Sequence, residues 1–457
     1  MAIIKNKAEL LSHGNIEGRK IALDIIEYAF GAIDTYESVR KTVLIDDGEL
    51  IVGNSKYDLR KFRNIYVVGA GKGTVGMAEA LEEILGRRIK RGVIIEKRGQ
   101  GRYLQTIKVV EGGHPTPDEA GLEATKEIVE IAKSTRERDL VFVCIMGGCS
   151  ALMVLPVEGV TLGDINRVND LLLKCGATIE EINAVRKHLS AVKGGRLAKY
   201  IHPAEIINLI VIDEVAGLPW GPTVPDTTTF EDAVHVLKKY NLWEKILSSV
   251  RRHLERGLTD PSLETPKAKD FEGLKIHNLI LANNNIACEA AKKKAEELGF
   301  NSMILSTVLE GESREVGIVL ASIAKEVEKR NRPLKPPCVI ISGGETTVTI
   351  TEEPGEGGRN QELALAASLK IDGSEKIVIV SIGTDGTDGP TDIAGGIVDG
   401  YTLRRGKKKG LDVYKNLIKH NSSHVFRKLN DAVFTGPTGT NVMDLGFAVV
   451  LKTRHTT

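Results

Sequence analysis

No apolar run in this 457-residue chain approaches the length that a membrane-spanning helix needs. None of its five cysteines, at 144, 149, 175, 288 and 338, stands in a C-x-x-C pair, which excludes the usual zinc and disulfide frameworks. Charge of one sign is lacking too. Lys and Arg total 62 against 61 for Asp and Glu, so neither a nucleic-acid face nor an anionic membrane surface is implied. Aromatic residues are scarce at 4%, and none interleaves the densest basic run, Lys407-Lys408-Lys409, which reads as a solvated turn. The opening MAIIKNKAELLSHG has no uninterrupted apolar core of the secretory kind. Neither G-x-x-x-x-G-K-[ST] nor an H-R-D loop ahead of D-F-G occurs, so the P-loop and protein-kinase architectures are excluded. The expectation is a reduced, cytoplasmic enzyme or binding protein with no nucleic-acid or membrane partner.

What the chain does have is short apolar runs alternating with helical periodicity. NIYVVG (64–69), RGVIIE (91–96), TIKVVEG (106–112), DLVFVCIM (139–146) and EIINLIVID (205–213) are continuously apolar rather than alternating. That pattern predicts strands buried on both faces of a parallel sheet covered by helices. A polar, proline-bearing stretch at 251–277 then breaks the pattern. A second series follows: NLILAN (278–283), SMILST (302–307), CVIISGG (338–344), KIVIVSIG (376–383) and FAVVLK (447–452). The predicted fold is α/β, with two three-layer α/β/α domains, 1–254 and 255–457. The first carries a Rossmann-like parallel sheet, and the active-site cleft lies between the domains.

Glycine falls where ligands are held. GAGKG (69–73), GGCS (147–150), SGGET (342–346) and GTDGTDG (383–389) each follow a predicted strand, and TGPTGTN (435–441) precedes the last one. Glycine lets backbone N–H groups converge on an anion, and loops at the carboxyl ends of parallel strands line the ligand crevice. One such turn is explained by packing; five bearing Lys, Ser, Glu, Thr and Asp predict a divided polyphosphate site. In SIGTDGTDGPTD (381–392), Asp385, Asp388 and Asp392 fall within eight residues. Their hard oxygens suit magnesium on nucleotide phosphates, whereas the alternative is a chain of Asx turns. Lys72 and Arg359 each stand just ahead of a predicted helix, where the dipole disfavours a cation unless an anion is present. Gly71-x-Gly73-x-x-Gly76, with Glu96 twenty residues on, also matches a dinucleotide fingerprint. That reading leaves the other four turns unexplained. His114, between glycines and prolines, reads better as bracing a turn than as a base.

The ordered set GAGKG, GGHPTPD (112–118), GGCSAL (147–152), GPTVPD (221–226), SGGETTV (342–348), GRNQE (358–362), GTDGTDGPTD (383–392) and GPTGTNVMDL (436–445) resembles the glycerate 2-kinases of the MOFRL type over roughly residues 10–450. The resemblance implies transfer of the γ-phosphoryl group of ATP, with Mg2+, to the 2-hydroxyl of D-glycerate. Carried over by residue, it implies catalytic roles for Lys72, Arg359 and Glu345, and for a carboxylate at Asp213 or Glu214, between which the altered text VIDEVAG leaves the choice open. The expected nucleotide-binding residues are Gly71, Gly147, Gly148, Ser150, Gly343, Gly344, Thr384, Asp385, Gly386 and Asn441. Asp385 and Asp388 are the expected metal ligands. Lys72 and Arg359 would hold the glycerate carboxylate or the transferring phosphoryl group. Oligomeric state is open, a homodimer being compatible with it. The competing readings are an NAD(P)-dependent dehydrogenase built on residues 64–96 and a binding protein without catalysis.

Overall fold

The computed structural model describes residues 3–213, 220–350 and 353–452. They divide into two compact units, and the division is not the expected one at 254/255. The first unit holds residues 38–211 and 220–281; the second holds 3–37, 212–213 and 282–452.

The first unit opens with a small antiparallel sheet, β1 (Val43–Asp46), β2 (Glu49–Val52) and β3 (Ser55–Asp58). Its main sheet comprises β4 (Asn64–Ala70), β5 (Ile89–Lys97), β6 (Ile107–Gly112), β7 (Asp139–Ile145), β8 (Glu205–Val211) and β9 (Ile276–Ala282), in the order β6-β5-β4-β7-β8-β9. From β6 through β8 every pairing is parallel. All seven residues of β7 are buried, as continuous hydrophobicity requires of a strand covered on both faces. The strand order reverses between β4 and β7. Their carboxyl ends, paired at Ala70 and Ile145, therefore form the switch point where open α/β sheets place ligands.

Residues 255–281, expected in the second domain, belong to the first because they finish its sheet and brace its helices. β9 lies beside β8. Glu264 takes hydrogen bonds from His188 Nε2 at 2.8 Å and from the Phe230 amide at 3.1 Å, and the Thr265 hydroxyl donates to Asp226 at 3.0 Å.

The second unit has a mixed sheet. β10 (Asn301–Leu309), β11 (Cys338–Gly344), β12 (Ile377–Gly383), β13 (Gly395–Asp399), β14 (Ala432–Val433) and β15 (Asp444–Val450) run in the order β10-β11-β15-β12-β13-β14. β15 is antiparallel to both its neighbours. Its first residue, Asp444, pairs with Gly344 at the end of β11 and with Gly383 at the end of β12. Inverting one central strand brings the start of β15 to the edge where β11 and β12 finish.

The leading helix, Ile16–Ala32, packs in this unit, which corrects the placement of residues 1–37 with the first domain. Arg19 is fully buried there and pairs with Asp399 at 2.6 Å and Asp431 at 2.8 Å. Asn15 caps the helix by accepting from Gly18 N, and its own side chain donates to the Glu375 carbonyl. A buried arginine lacking those two carboxylates would be too costly to hold in the interior.

Candidate active site

In the first unit the sequence-predicted residues gather at the switch point. The Lys72 amide donates to the Gly147 carbonyl at 2.8 Å, tying the turn after β4 to the turn after β7. Gly148 has φ +90°, and a Cβ there would come within 3.0 Å of His114 Cδ2 and 3.2 Å of Lys72 Cγ. Lys72, His114 and Gly148 thus share one spot. Burial, with Lys72 and Lys97 adding positive charge, pushes the His114 imidazole down to about 4. At neutral pH it is an uncharged ring beside the Lys72 ammonium.

Glu96 occupies the position a dinucleotide would need. Its fully buried carboxylate accepts from the amides of Gly73 at 2.9 Å, Val75 at 3.1 Å and Lys97 at 3.0 Å. These include the first amides of the Thr74–Leu85 helix, where a Rossmann unit binds pyrophosphate. The protein supplies its own anion. Burial lifts the carboxyl above its ordinary range despite these bonds.

In the second unit the centre is Arg359, first residue of the Arg359–Ile371 helix. Its Nε and Nη2 donate to the two oxygens of Asp444 at 2.6 and 3.0 Å, and Nη1 lies 2.8 Å from Glu345. Burial alone would loosen the guanidinium proton, but the Asp444 bonds and the charges of Asp444, Glu345 and Asp388 outweigh it and hold the group cationic. The arginine expected to await an anion is a bidentate partner of Asp444, a residue the motif analysis did not single out. Only the inverted strand direction reveals Asp444 at this edge.

Asp388 corrects a second expectation. It is buried, and its oxygens accept from Asn360 N at 3.0 Å, Gln361 N at 2.9 Å and Gln361 Nε2 at 3.1 Å. Those bonds cap the Arg359 helix, so Asp388 is committed to it and is not set out for a metal ion. Burial pushes its carboxyl up to about 6 against the pull of those amides. Thr384 is likewise structural. Its amide and hydroxyl both donate to the Met443 carbonyl, at 3.0 and 2.6 Å, and the hydroxyl accepts from Val442 N. Gly386 packs against the Gly436 carbonyl, 2.0 Å from where a Cβ would stand.

Gly343 is required by contact. A Cβ there would lie 1.8 Å from Asn284 Oδ1, and Asn284 holds the start of β15 through the carbonyls of Val442 and Asp444. Gly343, Gly344, Ser342 and Asp444 line a small pocket. Asn441 reaches Asp213 at 3.5 Å, so Asp213 belongs with this cluster; Glu214 lies outside the described residues.

Asp385 is the hard-oxygen donor at this edge of the kind a magnesium ion takes, whereas both Asp444 oxygens are engaged by Arg359 and Asn360. Asp385 and Asp444 are near enough that the first raises the carboxyl of the second, adding to burial and opposing Arg359. Magnesium is usually held by one or two carboxylates with waters and substrate phosphates, not by a protein cage. Among the described residues no group of three or more His, Cys, Asp or Glu is placed to hold a metal. No helix among them is long and apolar enough to cross a membrane.

A parallel switch point with a lysine turn, and a second sheet edge where arginine is set among carboxylates, are the features of a two-unit α/β enzyme handling anions. Comparison with known proteins agrees. A domain of unknown function matches residues 21–255, and the MOFRL family matches residues 338–444. The chain is 46% identical to the glycerate 2-kinase of Pyrococcus horikoshii, covering 96% of this chain and 99% of the relative. It is 40% identical to the D-glycerate 2-kinase of Thermotoga maritima, covering 95% and 98%. A relative from Agrobacterium vitis, 36% identical over 83% of this chain and 97% of its own, bears the provisional name of hydroxypyruvate reductase. The crystal structure of glycerate kinase from Thermotoga maritima matches with a TM-score of 0.83 at 39% identity, covering 94% of this chain and 99% of that one. A crystal structure of a Pyrococcus horikoshii protein matches at 0.84 and 46% identity, covering 95% and 99%. The chain belongs to the glycerate kinase family of the MOFRL type.

Proposed function

We propose that this enzyme transfers the γ-phosphoryl group of ATP to the 2-hydroxyl of D-glycerate, releasing 2-phosphoglycerate and ADP. The observation that carries the reading is the Arg359–Asp444–Glu345 cluster, with Asp385 close by, beside the Gly343–Gly344 turn. Fixed positive charge next to hard oxygen donors suits phosphate and magnesium chemistry, not hydride transfer. The dehydrogenase reading is disfavoured because Glu96 consumes the amides its pyrophosphate would need.

Phosphoryl transfer asks the protein mainly to position groups and neutralise charge. Lys72 supplies a cation, and His114, kept neutral beside it, adds no competing positive charge. The Gly147–Ser150 and Gly343–Glu345 turns offer amides to phosphate oxygens. Asp444 and Glu345 lock the arginine fork, so its remaining N–H groups are aimed before any ligand arrives. Asp213, steadied by Asn441, orients the acceptor hydroxyl or takes its proton. Magnesium held at Asp385, with waters and phosphate oxygens, would shield the charge of the phosphates. The test is phosphorus NMR of the product formed from D-glycerate and ATP. A resonance of 2-phosphoglycerate is expected; 3-phosphoglycerate, or no ADP at all, overturns the assignment.

A further inference from the structure

Behind the Gly147–Ser150 turn, the first unit contains a small pocket that none of the motifs above predicts. Ser150, Asn169, Arg186, Ser190 and Lys193 supply its polar lining, and the rest is aliphatic, including Val168 and Leu189. Arg186 is anchored by Nε donating to Asn169 Oδ1 at 2.8 Å. Lys193 is anchored by Nζ donating to the Met153 carbonyl at 2.6 Å. Among the described residues no carboxylate lies within ion-pairing distance of either cation. Burial brings the Lys193 ammonium down to about 8, with Cys149 opposing the shift and Arg186, the smallest influence, adding to it. Arg186 is lowered by burial as well.

Two half-buried cations facing one cavity without a counter-charge are costly. Each loses hydration, and each raises the other's energy. A fold keeps such a pair where an anion completes it. The occupant is defined by the walls: two cations and the Ser150 hydroxyl match the oxygens of a carboxylate, and the aliphatic side accepts a short carbon skeleton. Paired cations bind phosphate as well, so it is the aliphatic wall, which a phosphate tail does not need, that favours the carbon skeleton of a small acid. Position agrees, since Ser150 lines the pocket while Gly148, two residues earlier, backs Lys72 and His114.

We propose that Arg186 and Lys193 form the subsite that binds the carboxylate of a small 2-hydroxy acid, leaving Lys72 for the transferring phosphoryl group. The proposal rests on the kinase reading for the identity of the acid, not for the existence of the site. Its test is calorimetric titration of the full chain with D-glycerate, with the uncharged glyceramide and with inorganic phosphate, in wild type, Arg186→Gln and Lys193→Met. Steady-state ADP release is measured in parallel. The expected result is at least a tenfold weaker D-glycerate affinity and a matching rise in its KM in both variants, with the KM for ATP unchanged. Glyceramide should bind wild type poorly and be indifferent to the substitutions. D-glycerate affinity within twofold of wild type in folded variants overturns the subsite. So does a loss that falls on phosphate or ATP instead. If either variant fails to fold, Arg186→Lys and Lys193→Arg, which keep charge but move it, should still weaken D-glycerate more than glyceramide; equal effects overturn the proposal. Wild type that binds D-glycerate at this pocket but releases no ADP would remove the kinase reading alone.

Discussion

Asp388 and Asp385 sit three residues apart in one loop, yet they make opposite predictions when substituted. Asp388→Asn keeps the size but turns an N–H toward the amides of Asn360 and Gln361, so unfolding free energy should fall by about 1–2 kcal/mol. Its dependence on magnesium should stay as in wild type. Asp385→Asn should raise the magnesium concentration needed for half-maximal rate several-fold with little change in stability. Activity measured against magnesium, alongside urea unfolding, separates the two. The pH dependence of Asp388 has a definite sign. Its folded value of about 6 lies above the ordinary 3.8, so the folded state favours the protonated form. The stability this group contributes is present near pH 4 and is lost as pH rises through about 6. The advantage of wild type over Asp388→Asn should therefore shrink across that window. Lys193 carries a separate signature. Arg186 shares the pocket with it, Cys149 acts on it electrostatically from outside the lining, and its charge is lost as pH rises through about 8. Affinity for D-glycerate should fall above pH 8 in wild type and stay flat in Lys193→Met, as followed by calorimetry between pH 7 and 9.5. The motif analysis missed both pocket cations because a lone arginine and lysine in helical text look like solvated surface; the absence of carboxylate partners is visible only in three dimensions.

The strands were legible as elements because burial on both faces leaves an unbroken apolar run, and β7 and β11 lie where DLVFVCIM and CVIISGG predict them. Direction was not legible. FAVVLK reads the same whether its strand runs with its neighbours or against them, so the meeting of Asp444 with Gly344 and Gly383 stayed hidden. Short strands such as β13, opening with two glycines, and the β1–β3 hairpins lack the run that signals a core strand. Helix Ile16–Ala32 was legible as a helix but not as a part of the second unit. What fixes it there is one arginine meeting a carboxylate 380 residues away. Arg19→Ala leaves Asp399 and Asp431 buried with one partner fewer, and should cost about 3–5 kcal/mol in urea unfolding. A loss below about 1 kcal/mol would mean that the helix is held by its apolar face alone.

At the scale of the molecule, the two cations of the proposed mechanism belong to different units, Lys72 to one and Arg359 to the other. Lys72→Ala should lower turnover about a hundredfold, some 3 kcal/mol at the transition state, with unfolding unchanged. Arg359→Ala should lose at least as much, and it also strips Asp444 of its counter-charge, so its melting temperature should drop as well. Unimpaired kinetics in either variant would remove that side chain from the mechanism. The division into units has a bearing on how the chain is made. The second unit supplies residues 3–37 before and 282–452 after the two segments of the first, 38–211 and 220–281. On a ribosome adding 5–20 residues per second, Arg19 emerges roughly 20–80 s before Asp399 exists. The two segments of the first unit are therefore synthesised before Arg19 can meet either buried carboxylate, and its helix goes without those counter-charges until late in translation.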